Sequence, residues 1–238
     1  MTASSPTLHQ TTQLAAGIIV AGGMSQRMGH DKAALTLDGV NLLRRAIDAI
    51  AAPVVVVGHP ELAELVGKCV ICPLDAALPS DFFHHIPAGT QPVTLTREDP
   101  PLGGPAAGLV AGITQLAALG ADALIQLAPV DMPHLDRLMP LLDAADWPDS
   151  AALVPVDEGG RLQLPAGRYR LGALRQAAAE LGDPQGASVF GLLGGIERQE
   201  ISLPDFALRD VDDPTQAKAA GLSFKMSEPE PENNGMNS

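Results

Sequence analysis

Residues 17–32 combine glycines, a hydroxyl side chain and fixed charges within one short segment. An apolar run at 18–20 is followed by a glycine pair, and then by a serine, an arginine and an Asp-Lys pair. Glycines let backbone N–H groups converge on an anion because no side chain blocks the approach. Arginine and lysine add positive charge beside them, so this chemistry suits a polyphosphate. The residues that could supply it are Gly22, Gly23, Ser25, Arg27, Gly29, Asp31 and Lys32.

The spacing of this segment differs from two common phosphate-binding motifs. No Gly-Lys-Ser/Thr triplet closes it, and the dinucleotide pattern G-x-G-x-x-G is absent. From Ala21 to Lys32 it instead matches A-G-G-x-S-x-R-M-G-x-D-K at every specified position. It therefore resembles the GT-A-like nucleotidyltransferases, and in particular the molybdenum cofactor guanylyltransferases. A glycine-rich turn without a ligand is the alternative, which so many specified positions disfavour.

The resemblance implies a nucleoside triphosphate wrapped by this loop. It also implies GTP as the donor, molybdopterin or the molybdenum cofactor as the acceptor, and release of pyrophosphate. The residues expected to be catalytic are Arg27, Lys32 and Asp131. The residues expected to bind the nucleotide are Val20, Ala21, Gly22, Gly23, Ser25, Lys32, Asp99 and Asp131.

Two carboxylates are candidate ligands for Mg²⁺, the cofactor that we expect. A protein-bound triphosphate usually brings Mg²⁺, which takes one or two carboxylates together with phosphate oxygens. Asp131 directly follows an apolar segment, and the family has a metal-binding Asp in a matching P-x-D-x-P setting. Related enzymes use an Asp or Asn of a later turn, which makes Asp212 the second candidate. Either segment could instead cap the helix that follows it.

The base and the acceptor should be recognised by neighbouring loops. Asp99 opens a segment that resembles D-x-x-x-x-G-P-L-A-G-L, in which the family's acidic residue contacts guanosine through the base or the ribose. The chain has Gly58-His59 where the family carries a contacting Asn. In a segment resembling G-R-x-Q-P-L-x-A-x-Y-R, three arginines could clamp the acceptor phosphate or form a solvated helix face. These arginines are Arg161, Arg168 and Arg170.

Composition excludes other classes of partner. The net charge is −13 and no basic block interrupts the sequence, which argues against nucleic acid or an anionic membrane as a partner. The polar N-terminus and the absence of a long apolar segment predict a cytoplasmic protein. Cys69 and Cys72 could form a redox pair, or half of a zinc site with His84 and His85. Because Pro73 follows, two small apolar residues at a strand end are the favoured interpretation.

Strand-like and helix-like segments alternate along the chain, which predicts an α/β fold with a mostly parallel twisted sheet between two helical layers. We expect a three-layer, Rossmann-like nucleotidyltransferase domain over 14–224, with a flexible N-terminus at 1–13 and a disordered acidic tail at 225–238. The predicted strands are 18–20, 53–57, 93–96, 123–128 and 151–156, with an edge strand from 201. The predicted helices are 40–50, 61–66, 105–119, 135–142, 169–181, 188–193 and 215–220.

The expected reaction is attack of an acceptor phosphate on the α-phosphorus of GTP. A cytidylyltransferase for the same cofactor, or a transferase for a sugar phosphate or another phosphorylated acceptor, is the second hypothesis. The third is a nucleotide-binding protein without turnover. Molybdoenzyme chaperones are candidate partners, and we expect a monomer or a weak homo-oligomer.

Overall fold

A computed structural model describes residues 13–21, 31–67, 69–71, 91–146 and 150–224. The strands in these ranges are β1 (Leu14–Val20), β2 (Leu35–Leu37), β3 (Val40–Asn41), β4 (Val54–Val57), β5 (Cys69–Ile71), β6 (Gln91–Thr96), β7 (Leu124–Pro129), β8 (Ala152–Val156), β9 (Arg168–Arg170), β10 (Arg198–Ser202) and β11 (Ser223–Phe224). The α-helices are α1 (Leu42–Ala49), α2 (Pro105–Gln115), α3 (Leu135–Asp143), α4 (Leu171–Leu181), α5 (Val189–Leu193), α6 (Asp205–Leu208) and α7 (Pro214–Ala219).

The main sheet contains eight strands in the order β10-β8-β9-β7-β1-β4-β6-β5. Seven of them run in one direction, and β9 is antiparallel to both of its neighbours, β7 and β8. A small antiparallel sheet of β11, β2 and β3 completes the described strands. Since β1 lies between β4 and β7 and is parallel to both, the carboxyl ends of these three strands meet at one edge.

Helices cover both faces of the main sheet, as the alternation of strands and helices predicted. In β1, Ile19 packs into a core with α1, α3, α6 and α7, whereas Ile18 packs into a second core with α2, α4 and α5. In β4, Val56 and Val55 divide between the same two cores. A strand that is buried on both faces has apolar side chains at successive positions, and the four valines of β4 fit this pattern. The three-layer α/β fold is confirmed.

A glycine lets α2 lie close to the centre of the sheet. A Cβ on Gly112 would come within 2.7 Å of Ile18 Cγ2 and 3.1 Å of Val57 Cγ2. Real Cβ atoms essentially never approach within 3.0 Å of another heavy atom, so a larger residue at this position would force α2 or the Ile18 side chain to shift. The packing of α2 on β1 and β4 therefore depends on this position.

The helix predicted at 169–181 is wrong at its start. The helix begins at Leu171, and Arg168–Arg170 forms the antiparallel strand β9. Tyr169 is fully buried in this strand and its hydroxyl donates to the Leu164 carbonyl oxygen at 2.7 Å. The pairing partners of β9 lie on β7 and β8, so the local sequence pattern did not contain this information.

Other boundaries differ less. Asn41 and Val40 form β3 instead of the first turn of α1, and the Asn41 side chain accepts from Arg44 N at 2.7 Å. The helix predicted at 61–66 is a 3-10 helix at Pro60–Glu64. In the part of the chain that the structure describes, no helix combines the length and apolar character needed to cross a membrane. The proposed tail at 225–238 lies outside the described residues, and the domain limits stay a prediction.

Replacing Tyr169 by Phe should lower the free energy of unfolding by about 1 kcal/mol, because it removes a buried hydrogen bond without opening a large cavity. Burial raises the pKa of the Tyr169 phenol far above its ordinary range, so the loss should be the same across neutral pH. Urea unfolding at constant protein concentration measures it, and an unchanged m-value shows that both end states are preserved. If the Tyr169→Phe variant unfolds at the same urea midpoint as the parental protein, the hydrogen bond contributes nothing to the free energy of unfolding.

Candidate active site

A cavity of about 410 Å³ opens at the carboxyl edge of the main sheet. Val20 ends β1 and Ala21 follows it, and both residues line the cavity. Asp131 follows β7, and Lys32 begins a 3-10 helix at Lys32–Ala34. These two also line the cavity. In an open α/β sheet ligands bind at this edge, so four of the predicted site residues lie where a ligand is expected.

Lys32 lies between two carboxylates from distant parts of the chain. Its ammonium donates to Asp131 Oδ2 at 2.9 Å and to Asp212 Oδ1 at 2.8 Å. Lys32 is 15% exposed, whereas Asp212 is 55% exposed. Burial is the largest influence on the Lys32 amine and lowers its pKa, but the charges and hydrogen bonds of Asp131 and Asp212 outweigh burial and raise the pKa above its ordinary value. Lys32 is therefore positively charged at neutral pH.

Local hydrogen bonds hold both carboxylates in this position. The backbone N–H of Val211 donates to the Asp131 carbonyl oxygen at 3.0 Å, which joins the two acidic turns. Asp213 caps α7, because its Oδ1 accepts from Thr215 N at 2.8 Å and from Gln216 N at 2.9 Å. The capping role considered for this turn thus belongs to Asp213, and Asp212 contacts Lys32 instead.

Asp131 does not cap the helix that follows it. The residue before α3 is His134, which makes no capping hydrogen bond through its side chain. The Asp131 side chain accepts from Lys32 instead. Both predicted metal ligands therefore have carboxylates at the same place, on either side of one ammonium group.

Asp210 adds a third acidic group that sequence reasoning did not select. It lines the cavity, and burial raises its pKa, with further increases from the charges of Asp212 and Asp131. Burial is the main cause of this upward shift, and the charges of Asp212 and Asp131 show that further negative groups lie nearby. Among the described residues, no group of three or more His, Cys, Asp or Glu side chains is arranged to hold a metal ion. The role of Asp131 and Asp212 as metal ligands stays a prediction, and two carboxylates are a set that Mg²⁺ accepts together with other oxygens.

Asp31 connects Lys32 to the end of β4. Its Oδ1 accepts from Ala33 N at 2.9 Å, which caps the short 3-10 helix, and its Oδ2 lies 2.6 Å from His59 Nε2. The other ring nitrogen of His59 lies 2.5 Å from Glu61 Oε2. Burial lowers the pKa of His59 most, but its hydrogen bonds to Asp31 and Glu61 outweigh burial and raise the pKa. The sequence marked His59 only as a departure from the family pattern.

The structure does not test the roles of the other expected site residues. Gly22, Gly23, Ser25 and Arg27 lie outside the described residues, and their roles stay predictions. Asp99 follows β6 at the same edge of the sheet but is exposed and does not line the cavity. Its contact with a guanosine also stays a prediction.

The proposed clamp of three arginines is wrong for two of them. Arg168 is only 5% exposed and is held by Asp143 Oδ1 at 2.6 Å and by Gln126 Oε1 at 2.9 Å. Arg170 pairs with Leu124 at the start of β7, the opposite end from the cavity. Only Arg161 lines the cavity, where its charge lowers the pKa of Asp210.

Cys69 has the surroundings of a structural thiol. It begins β5, its Sγ donates to the Val66 carbonyl oxygen at 3.1 Å, and Arg44 Nη1 lies 3.1 Å from the sulfur. Burial raises the pKa of the thiol, which disfavours the reactive thiolate. Cys72, His84 and His85 lie outside the described residues, so the redox and zinc interpretations stay untested.

Comparison with known proteins relates this chain to nucleotidyltransferases. A family model described as a MobA-like NTP transferase domain matches residues 17–196. A molybdenum cofactor guanylyltransferase from Cereibacter sphaeroides is 32% identical over 191 residues, which cover 79% of this chain and 86% of the relative.

Two solved structures share the fold. Molybdopterin-guanine dinucleotide biosynthesis protein A from Archaeoglobus fulgidus has a TM-score of 0.54 at 17% identity, covering 86% of this chain and 96% of the other. For 2-C-methyl-D-erythritol 4-phosphate cytidylyltransferase from Thermus thermophilus, the TM-score is 0.51 at 19% identity, covering 87% of this chain and 97% of the other. Because these proteins are named for different nucleotides, the shared fold does not select a base.

Replacing Lys32 by Met should tighten the binding of a divalent cation in the absence of nucleotide. The substitution removes the ammonium that competes for Asp131 and Asp212, and the two carboxylates then repel each other. We expect about fivefold tighter Mn²⁺ binding after allowance for solvent screening, measured by electron paramagnetic resonance of free Mn²⁺.

Lys218→Met is the matched control, because it removes the same charge from the exposed surface of α7. It should leave the Mn²⁺ affinity unchanged. Equal or weaker Mn²⁺ binding by Lys32→Met would contradict the prediction that Asp131 and Asp212 bind a divalent cation in competition with the ammonium.

Proposed function

Because this chain belongs to the MobA-like NTP transferase family, we propose that it transfers GMP from GTP to the phosphate of molybdopterin or of the molybdenum cofactor. Pyrophosphate is released, and the product is the guanine dinucleotide form of the cofactor. The observation that carries this proposal is the meeting of Lys32, Asp131 and Asp212 beside the cavity. A fixed positive charge and two carboxylates are what a metal-dependent transfer of a nucleotidyl group requires.

The donor atoms fit Mg²⁺ better than a soft metal. Asp131 and Asp212 offer carboxylate oxygens, which hard cations such as Mg²⁺ prefer to sulfur ligands. Both are partly exposed, at 25% and 55%, which leaves room for water and phosphate oxygens to complete the coordination. Enzymes of this family typically use a divalent metal ion. We assign Mg²⁺ to these two residues, where it would supply charge neutralisation for the phosphates.

The reaction needs no nucleophile from the protein. An oxygen of the acceptor phosphate forms a bond to the α-phosphorus of GTP, while the bond from that phosphorus to the bridging oxygen of the β-phosphate breaks. The electron pair leaves with pyrophosphate. Catalysis then consists of alignment and charge stabilisation. We assign the charge of Lys32 to the triphosphate and, from the sequence motif, assign Gly22, Gly23, Ser25 and Arg27 to the same anion.

The acceptor phosphate and the guanosine of the donor need binding residues of their own. Arg161 and Gln163 line the same cavity as Lys32 and Asp131. We assign the phosphate of the acceptor to Arg161, because a guanidinium can bind two phosphate oxygens at once. Asp99 is the proposed contact of the guanosine, because a carboxylate can accept from the guanine edge or from ribose hydroxyls.

The transfer is tested with GTP labelled at the α-phosphate, Mg²⁺ and molybdopterin. We expect label in a guanine dinucleotide product and release of one pyrophosphate for each product formed. Asp131→Asn and Asp212→Asn should each lower kcat/KM by roughly 100-fold or more, because each removes a charged metal ligand. Asp213→Asn is the control, since asparagine also caps helices and this residue does not contact Lys32.

Each part of the proposal has an outcome that would contradict it, and the choice of base is tested separately by thermal stabilisation with each nucleotide. An Asp131→Asn protein with full activity would contradict the metal assignment. Thermal stabilisation by GTP and Mg²⁺ that is no greater than that by CTP, ATP or UTP would contradict the choice of guanine. Label transfer to a sugar phosphate but not to molybdopterin would favour the other acceptor class.

A further inference from the structure

His59 lies between two carboxylates, and both of its ring nitrogens are engaged. Nε2 is 2.6 Å from Asp31 Oδ2 and Nδ1 is 2.5 Å from Glu61 Oε2. A neutral imidazole has a single N–H, so it can donate to only one of these acceptors. Because carboxylates at neutral pH are acceptors only, both short contacts are satisfied when the ring carries two protons.

The two carboxylates belong to different elements. Asp31 precedes the 3-10 helix at Lys32–Ala34, and Glu61 lies on the 3-10 helix at Pro60–Glu64. Arg97, after β6, is a further charged group near this trio, and its charge acts on Glu61. Two negative groups therefore face the imidazole directly. The positive charge of Arg97 acts on one of them, the Glu61 carboxylate. This arrangement favours the imidazolium.

The contact with Asp31 bears directly on Lys32. One oxygen of the Asp31 carboxylate accepts from Ala33 N, and the other faces His59. A carboxylate fixed at both oxygens has little rotational freedom, so it holds the backbone on which Lys32 lies. His59 itself comes two residues after β4, a strand whose four valines are fully buried. The sheet therefore fixes one end of this connection, and Lys32 lies at the other end.

We propose that His59 is a positioning residue for nucleotide binding, which as an imidazolium holds Asp31 against the end of β4 and so keeps Lys32 in place for the triphosphate. This inference rests on the proposed function, because it takes Lys32 as a triphosphate ligand. It adds a pH dependence that the reaction itself does not require. The hydrogen bonds to Asp31 and Glu61 raise the pKa of His59, so the connection is complete at low pH and loses one donor as pH rises through that pKa.

The test is the affinity for GTP with saturating Mg²⁺, measured from about pH 6, below the ordinary pKa of histidine, to about pH 9. For the parental protein we expect GTP affinity to fall by about fivefold across one midpoint, because one charge-assisted hydrogen bond is lost. Titration of the His59 ring by nuclear magnetic resonance should give the same midpoint.

Glu61→Gln separates positioning from a merely structural role. It removes one of the two carboxylates that favour the imidazolium, so the midpoint of GTP affinity should move to lower pH. Glu64→Gln is the matched control, because Glu64 is an exposed carboxylate on the same 3-10 helix, and it should leave the midpoint in place. His59→Gln keeps an amide donor but does not titrate, so its GTP affinity should show no midpoint beyond that of the nucleotide.

The outcomes distinguish this inference from the proposed function. GTP binding with a midpoint that Glu61→Gln does not move would overturn the role of His59 and leave the proposed function intact. A midpoint that persists in His59→Gln would do the same. A parental protein that binds no GTP at any pH would overturn the proposed function and this inference together.

Discussion

The ammonium of Lys32 between Asp131 and Asp212 is the interaction on which the arrangement of the site depends. It joins segments that are 99 and 180 residues apart along the chain. Without a cation at this point the two carboxylates would face each other at the edge of the sheet, and Asp210 would add to their repulsion. Because Asp212 is about half exposed, the pair contributes little to the free energy of folding. The pair serves to orient these groups. It holds one positive group, which could bind a phosphate, beside two negative groups, which could bind a metal ion.

The rest of the fold gives this cluster a rigid support. β1, β4 and β7 are parallel neighbours with helices on both faces, so the turns that follow them start from fixed points. The hydrogen bond from Val211 N to the Asp131 carbonyl oxygen adds the last acidic turn to this support. A protein with a net charge of −13 must attract phosphates through local groups, against its overall field. Lys32 and Arg161 at the cavity provide that local charge.

The sequence predicted the parts of the fold that follow from local patterns. The strand at the valine run of β4, the alternation of strands and helices, and the helix α5 depend on neighbours along the chain. The site residues Lys32, Asp131 and Asp212 were found by motif, and the structure brings them together. What the sequence could not supply were pairings across the fold. Arg168 is buried because Gln126 and Asp143 satisfy it, and β9 exists because β7 and β8 pair with it. The contact of His59 with Asp31 is of the same kind, since 28 residues separate them.

We expect Lys32 to couple the two acidic turns energetically, and a double-mutant cycle measures that coupling most directly. Urea unfolding of Lys32→Met, Asp212→Asn and the double variant should give a coupling free energy of about 0.5–1 kcal/mol, allowing for the exposure of Asp212. The matched cycle of Lys32→Met with Asp213→Asn should be additive, because Asp213 caps α7 and makes no hydrogen bond to Lys32. Additive effects in the Lys32 and Asp212 cycle as well would contradict the account.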